Sequence, residues 1–233
     1  EMLRSLVGSE MCIRDSPTLA HPDIRLAGPS AEHLLGTDRF GRDTASRIMA
    51  GAQITVFVGL IAVGIAALVG VPLGILAGMR RRTLADALVM RGADLLLAFP
   101  ALLLAIIAGA VWGPSTLTAM IAIGIAGIPS FARVARSGTL QVITQGFISS
   151  ARISTVPGWK VALRHIVPNI AGLLIVQASV YFALAILAEA GLSYLGLGTA
   201  PPAASWGRML QDSQSLLGTA PLQAFWPCLL YTS

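Results

Sequence analysis

Three long stretches of this chain carry no Asp, Glu, Lys or Arg: residues 48–79, 95–132 and 166–188. A bilayer's hydrocarbon core is spanned by roughly 20 apolar residues in a helix. The runs of 32 and 23 residues each suit one crossing. The run of 38 residues would make a single helix of about 57 Å, too long for one crossing. It is interrupted by Trp112-Gly113-Pro114-Ser115, a turn signal with a tryptophan suited to the membrane interface, and reads as a tight hairpin of two spans. The chain is therefore expected to cross four times, at about 54–78, 95–112, 116–132 and 168–188. Barrel strands do not fit, because the segments are continuous rather than alternating and exceed the ten or so residues of a barrel strand. Composition points the same way. Only 12% of residues are charged, against about 25% in a soluble globular domain.

Orientation follows from Lys and Arg. Arg80, Arg81, Arg82 and Arg91 lie between the first two spans, and Arg133, Arg136, Arg152, Lys160 and Arg164 between the third and fourth. These two loops hold nine basic residues against two acidic ones, Asp86 and Asp94, while the hairpin holds neither sign. The positive-inside bias puts both basic loops in the cytoplasm. Residues 20–50 and 191–226 then face outside. The net charge of +5 is accounted for by these loops and calls for no nucleic-acid partner.

The two ends, residues 1–16 and 228–233, do not continue the pattern of their neighbours and resemble translated adapter read-through; they are set aside from fold reasoning. Both cysteines, Cys12 and Cys228, fall there, so no redox or metal argument can be built on them. His21, His33 and His165 are scattered along the chain. Lys160 is the single lysine, and no G-x-x-x-x-G-K-[ST] phosphate loop occurs, which excludes ATP hydrolysis by that route. No catalytic, cofactor-binding or metal site is expected.

Within the first span, Gly70, Gly74 and Gly78 share one helix face, and Pro72 should kink that helix. Such a face either lets a neighbouring helix approach closely or reflects the general abundance of small residues in membrane helices. Asp94 and Glu189 stand at span ends, where water can reach them, and are read as structural. Arg91, three residues before Asp94, is on the same helix face and could pair with it.

The basic stretch 133–167 is long for a loop in a compact membrane protein, which points to function. It reads as short helical pieces joined at Pro157-Gly158, with Pro168 in the first turn of the last span. Such pieces can lie on the anionic inner leaflet or dock in a groove of a soluble partner.

Residues 149–169 resemble the cytoplasmic loop of bacterial ABC-importer permeases, whose pattern is E-A-A-x-x-x-G followed by H-x-x-P-N ten residues after the glycine. Ala151, Arg152, His165, Pro168 and Asn169 fall in register. Ser149 stands where that pattern has Glu, Ser150 where it has Ala, and Thr155 where it has Gly. "HLLGTDRFGRDTASRIMAGAQ" (33–53), "RGADLLLAFPALLLA" (91–105), "ARVARSGTL" (132–140) and "AEAGLSYLGLGTAPPAASWGRML" (188–210) resemble, in order, the C-type permease subunit of dipeptide, oligopeptide and nickel importers.

The resemblance implies an all-α, polytopic helical bundle of the type I ABC importer permease kind, with four spans present of an expected six. It implies an extracytoplasmic segment at 17–53, a permease transmembrane domain at 54–227 and a coupling loop at 133–167. Ser149, Ser150, Ala151, Arg152, Thr155, Pro157, Gly158, His165, Pro168 and Asn169 would form the contact with the ATPase. His165 could instead cap a helix end. Leu192, Gly196, Gly198, Pro201 and Trp206 would belong to the extracytoplasmic loop. The implied partners are a second homologous permease, cytoplasmic ABC ATPases that hold ATP and magnesium themselves, an extracytoplasmic substrate-binding protein and membrane lipid. The solute would be a peptide or a related small molecule. An ATPase-independent channel or secondary carrier, and a purely structural membrane subunit, are the competing readings.

Overall fold

The computed structural model describes residues 18, 20–146, 148 and 156–232. These residues are almost entirely helical: α1 (Thr44–Met79), α2 (Leu84–Ala98), α3 (Ala101–Trp112), α4 (Thr116–Val142), α5 (Gly158–Tyr194), α6 (Trp206–Gln214) and α7 (Leu222–Thr232). Among the described residues there is no strand, only an isolated antiparallel bridge between Thr37 and Asp43. Helices α1, α4 and α5 are each long and apolar enough to cross a membrane, and the bent pair α2–α3 makes a fourth candidate.

The helices begin and end differently from the uncharged runs. Helix α1 starts ten residues before the expected 54, at Thr44, where the Asp43 side chain accepts from the Ser46 N–H (2.7 Å), and its first turns hold Arg47 buried beside Asp38 (Nε to Oδ2, 3.5 Å). It continues without interruption through Pro72. The expected span 95–112 is not one helix. It is broken at Phe99-Pro100, where α2 and α3 meet at an 80° bend. Proline has no N–H to donate, and its ring drives the preceding residue out of the helical region. Phe99 is accordingly extended (φ −95°, ψ 127°). The turn after Trp112 uses Gly113 at φ +86°, a conformation that strains any residue with a Cβ.

The described chain divides into two compact units, one drawn from residues 1–58, 109–119 and 186–233, the other from 59–108 and 120–185. In the second unit the C-terminal half of α1, together with α4 and most of α5, packs through small residues. A Cβ on Gly70 would stand 2.6 Å from the Ile128 carbonyl oxygen, one on Gly74 2.8 Å from the Ala135 Cβ, and one on Gly78 2.7 Å from the Thr139 Cβ. The glycine face of α1 thus lies against the backbone of α4. On the other side of α4, Gly127 sits under Tyr181 of α5, whose hydroxyl donates to the Ile123 carbonyl. Phe131 meets the Tyr181 ring edge-on at 5.8 Å. The first unit is built around the N-terminal turns of α1, the 191–205 loop and α6, with the Trp206 indole N–H donating to the Ile48 carbonyl (2.9 Å).

Candidate functional site

The segment singled out by sequence as a coupling element, 133–167, is anchored in one apolar core. Ile148, Val161 and Ile166 within it and Ile170 just beyond it pack with Ile75 of α1 and Ala135 and Val142 of α4. Ser149, Ser150, Ala151, Arg152 and Thr155 lie outside the described residues. Beyond them, Pro157 is extended (φ −61°, ψ 141°) and acts as N-cap of α5, and Gly158 opens the helix.

Helix α5 does not begin at Pro168. It starts at Gly158 and passes through a π-helical turn, Ala162–Ile166, before continuing as α-helix from Val167. The residues explain the widened turn. Pro168 cannot donate to the Arg164 carbonyl, and its ring would collide with that carbonyl in a regular helix. The Val167 N–H bonds five residues back, to Ala162. The Asn169 side-chain amide donates to the His165 carbonyl at 2.7 Å. The proline and asparagine of the H-x-x-P-N stretch therefore shape the turn that carries His165. That ring is half-buried, while Pro157, Gly158, Trp159, Lys160, Leu163 and Arg164 are exposed. Val161 and Ile166 thus face the core, while Trp159, Lys160, Leu163 and Arg164 lie on the exposed face.

Two ion pairs brace the same part of the molecule, and neither is the expected one. Asp94 accepts from Arg133 of α4 (2.6 Å) rather than pairing with Arg91. Asp86 takes both ends of the Arg136 guanidinium, at 2.7 and 3.0 Å, and also accepts from the Arg82 backbone (3.2 Å). Arg136 is thus a tie between α2 and α4 as well as a topogenic charge. These pairings join residues 39 and 50 positions apart, so local spacing could not reveal them.

At the other end of α5, Glu189 is fully buried rather than open to water. Its Oε1 accepts from Ser193 (2.6 Å), and the Ser193 hydroxyl accepts in turn from the Thr199 backbone (3.1 Å). This knot folds the loop that sequence singled out. Leu192 is buried in it. Gly196 adopts φ +79°, and a Cβ on Gly198 would run into Ser193. Pro201 precedes a cis peptide bond to Pro202. Trp206 opens α6, capped by the Ser205 hydroxyl, which accepts from the Arg208 N–H. Among the described residues no group of His, Cys, Asp and Glu could hold a metal ion.

Residues 70–233 match the family described as binding-protein-dependent transport system inner membrane component, and the chain belongs to that family. It is a multi-pass inner-membrane permease.

The chain is 42% identical over 207 residues to the dipeptide transport system permease protein DppC of Alkalihalophilus pseudofirmus, covering 89% of this chain and 68% of that protein. It is 37% identical over 227 residues to the probable D,D-dipeptide transport system permease protein DdpC of Escherichia coli K12, covering 97% and 74%. It is 39% identical over 202 residues to the glutathione transport system permease protein GsiD of Pectobacterium atrosepticum, covering 87% and 67%. The chain thus spans about two thirds to three quarters of these relatives' lengths. Among solved structures it resembles a chain of the MetNI methionine ABC transporter in an inward-facing conformation, with a TM-score of 0.64 at 15% identity, over 79% of this chain and 89% of that one. At this identity the likeness is one of fold.

Proposed function

We propose that this chain forms half of the translocation pathway of an ATP-driven importer for peptides or a related small solute. The observation that carries the reading is 37–42% identity, over most of the chain, to permeases named for dipeptide, D,D-dipeptide and glutathione transport. In this reading the chain performs no catalysis of its own. Cytoplasmic ATPases bind and hydrolyse ATP, a second homologous permease completes the pathway, and an extracytoplasmic binding protein delivers the solute. Residues 149–169 seat against an ATPase. Closure of the ATPase pair then pulls on α5 through the 158–166 turns, whose anchorage beside Ile75 and Ala135 supports a rigid transfer of motion. The glycine face at Gly70, Gly74 and Gly78 keeps α1 and α4 in contact as the bundle moves.

The experiment is uptake of a labelled dipeptide into proteoliposomes that hold the full-length permease pair and its ATPases, with binding protein outside and ATP inside. Uptake should require all of these together. Uptake that proceeds without ATP, driven by an ion gradient, would establish the carrier reading instead.

A further inference from the structure

In the first unit, four arginines converge on one small cavity. Arg39 and Arg42 come from the turn closed by the Thr37–Asp43 bridge, Arg47 from the first turns of α1, and Arg208 from α6. The cavity has a volume of about 240 Å³, and Pro201-Pro202 form part of its wall. Among the described residues two aspartates, Asp38 and Asp212, serve these arginines. Asp38 serves the two buried ones: it accepts from the backbone N–H groups of Phe40 and Arg42 and from Arg42 Nε at 2.7 Å, and its Oδ2 stands 3.5 Å from Arg47 Nε. Asp212, the acid that lines the cavity, receives one hydrogen bond of normal length, from Arg39 (2.8 Å). Its distances to Arg208 Nε and to the Arg42 terminal nitrogen are 3.6 and 3.9 Å, too long for hydrogen bonds. Arg39 Nε and Arg208 Nε are buried without a hydrogen-bond partner. Arg39 and Arg42 also lie over the Phe40 ring, with their Cζ atoms 4.7 and 4.6 Å from its centroid.

Four guanidinium groups gathered around two described carboxylates leave a local excess of positive charge, and the half-exposed pair at the mouth, Arg39 and Arg208, each keep a buried Nε that an incoming anion could engage. The planar fork of a guanidinium suits a carboxylate, which can take two parallel N–H bonds. The side chain of Arg39 is 38% exposed and that of Arg208 is 20% exposed, so the cavity opens to solvent. The charge bias of the loops assigns this part of the chain to the cell exterior.

We propose that this cavity receives an Asp or Glu side chain of the extracytoplasmic binding protein when that protein docks. The occupant follows from the charge, from a volume that admits one side chain and no helix, and from the face on which the cavity opens. The inference rests on the importer reading given above.

The test is direct binding of the system's own solute-loaded binding protein to the full transporter in nanodiscs. Arg39→Gln and Arg208→Gln should each raise Kd about tenfold and flatten its dependence on salt, in complexes that still elute with both permeases and the ATPases. Asp212→Asn, which removes the competing internal anion, should lower Kd. It keeps the test open should an arginine variant fail to assemble. Equal affinities for the parent and all three variants would overturn this inference alone. No binding by the parent would overturn the importer reading beneath it. If affinities are equal but the half-saturating solute concentration for uptake shifts, the carboxylate is the solute's own and the docking assignment is wrong.

Discussion

Replacing Gly74 by alanine adds one carbon where the structure leaves no room for it. The new Cβ would stand 2.8 Å from the Ala135 Cβ and closer still to the Ala132 carbonyl oxygen. Carbon–carbon contacts are optimal at about 3.5–4.0 Å, so α1 and α4 must separate by roughly 1 Å. Neither obstacle can rotate aside, since one is backbone and the other is the only carbon of its side chain. Overpacking of this kind costs about 1–3 kcal/mol. Against it stands the better helix propensity of alanine, about 1 kcal/mol relative to glycine. Gly64 lies in the same helix with no heavy atom within 4 Å of its would-be Cβ. Gly64→Ala keeps the propensity gain without the clash, so the two substitutions should differ by about 1–3 kcal/mol, the whole of the overpacking term. At roughly 2–4 °C per kcal/mol for chains of this size, thermal midpoints should separate by several degrees. The assay is fluorescence-detected size-exclusion chromatography of the heated, full-length permease in mild detergent. If Gly74→Ala melts with Gly64→Ala or above it, the glycine face does not hold these helices together.

Three further outcomes are expected. Asp86→Asn, which removes one charge of the two-point pair with Arg136, should lower stability by about 1.5–3 kcal/mol, and a double-mutant cycle with Arg136→Gln should return most of that as coupling; zero coupling would mean the pair is incidental. Pro168→Ala restores an N–H opposite the Arg164 carbonyl, so the π turn should relax to α-helix and amide exchange across 162–170 should slow; unchanged exchange would show that the proline does not set the turn. In a version without Cys12 and Cys228, Ser154→Cys should react with membrane-impermeant maleimide in inside-out vesicles alone, and labelling in intact spheroplasts would reverse the assigned topology.

What the sequence discloses here depends on the range of the interaction. Uncharged runs report how much apolar chain is available to lipid, which is a local property. The helical class and the turn at Gly113–Ser115 were legible for that reason. Helix ends were less so, because they are set by tertiary partners. Arg47 would end a span by composition, yet Asp38 accommodates its charge inside α1. Pro100 lies within an apolar run, where hydropathy cannot distinguish a break from a kink. Spacing offered Arg91 for Asp94, and a residue on another helix took its place. The H-x-x-P-N stretch was readable as a motif, but its π turn was not, because that turn arises from where the displaced carbonyl bonds are received. The arginine cavity was hidden most completely. Its walls come from residues 18–20, 39–47 and 201–212, which nothing in the linear sequence brings together.

In the proposed mechanism, ATPase motion enters this chain through residues 149–169. The most direct measurement is substrate-stimulated ATP hydrolysis by the reconstituted full-length transporter carrying Ala151→Trp. An indole at that position should keep the loop from seating in an ATPase groove, at a cost of about 1–3 kcal/mol, and each 1.4 kcal/mol is tenfold in occupancy. The account predicts near-normal membrane insertion and permease pairing, with solute-stimulated hydrolysis and uptake lost together. A variant that assembles, hydrolyses ATP and transports like the parent would contradict it.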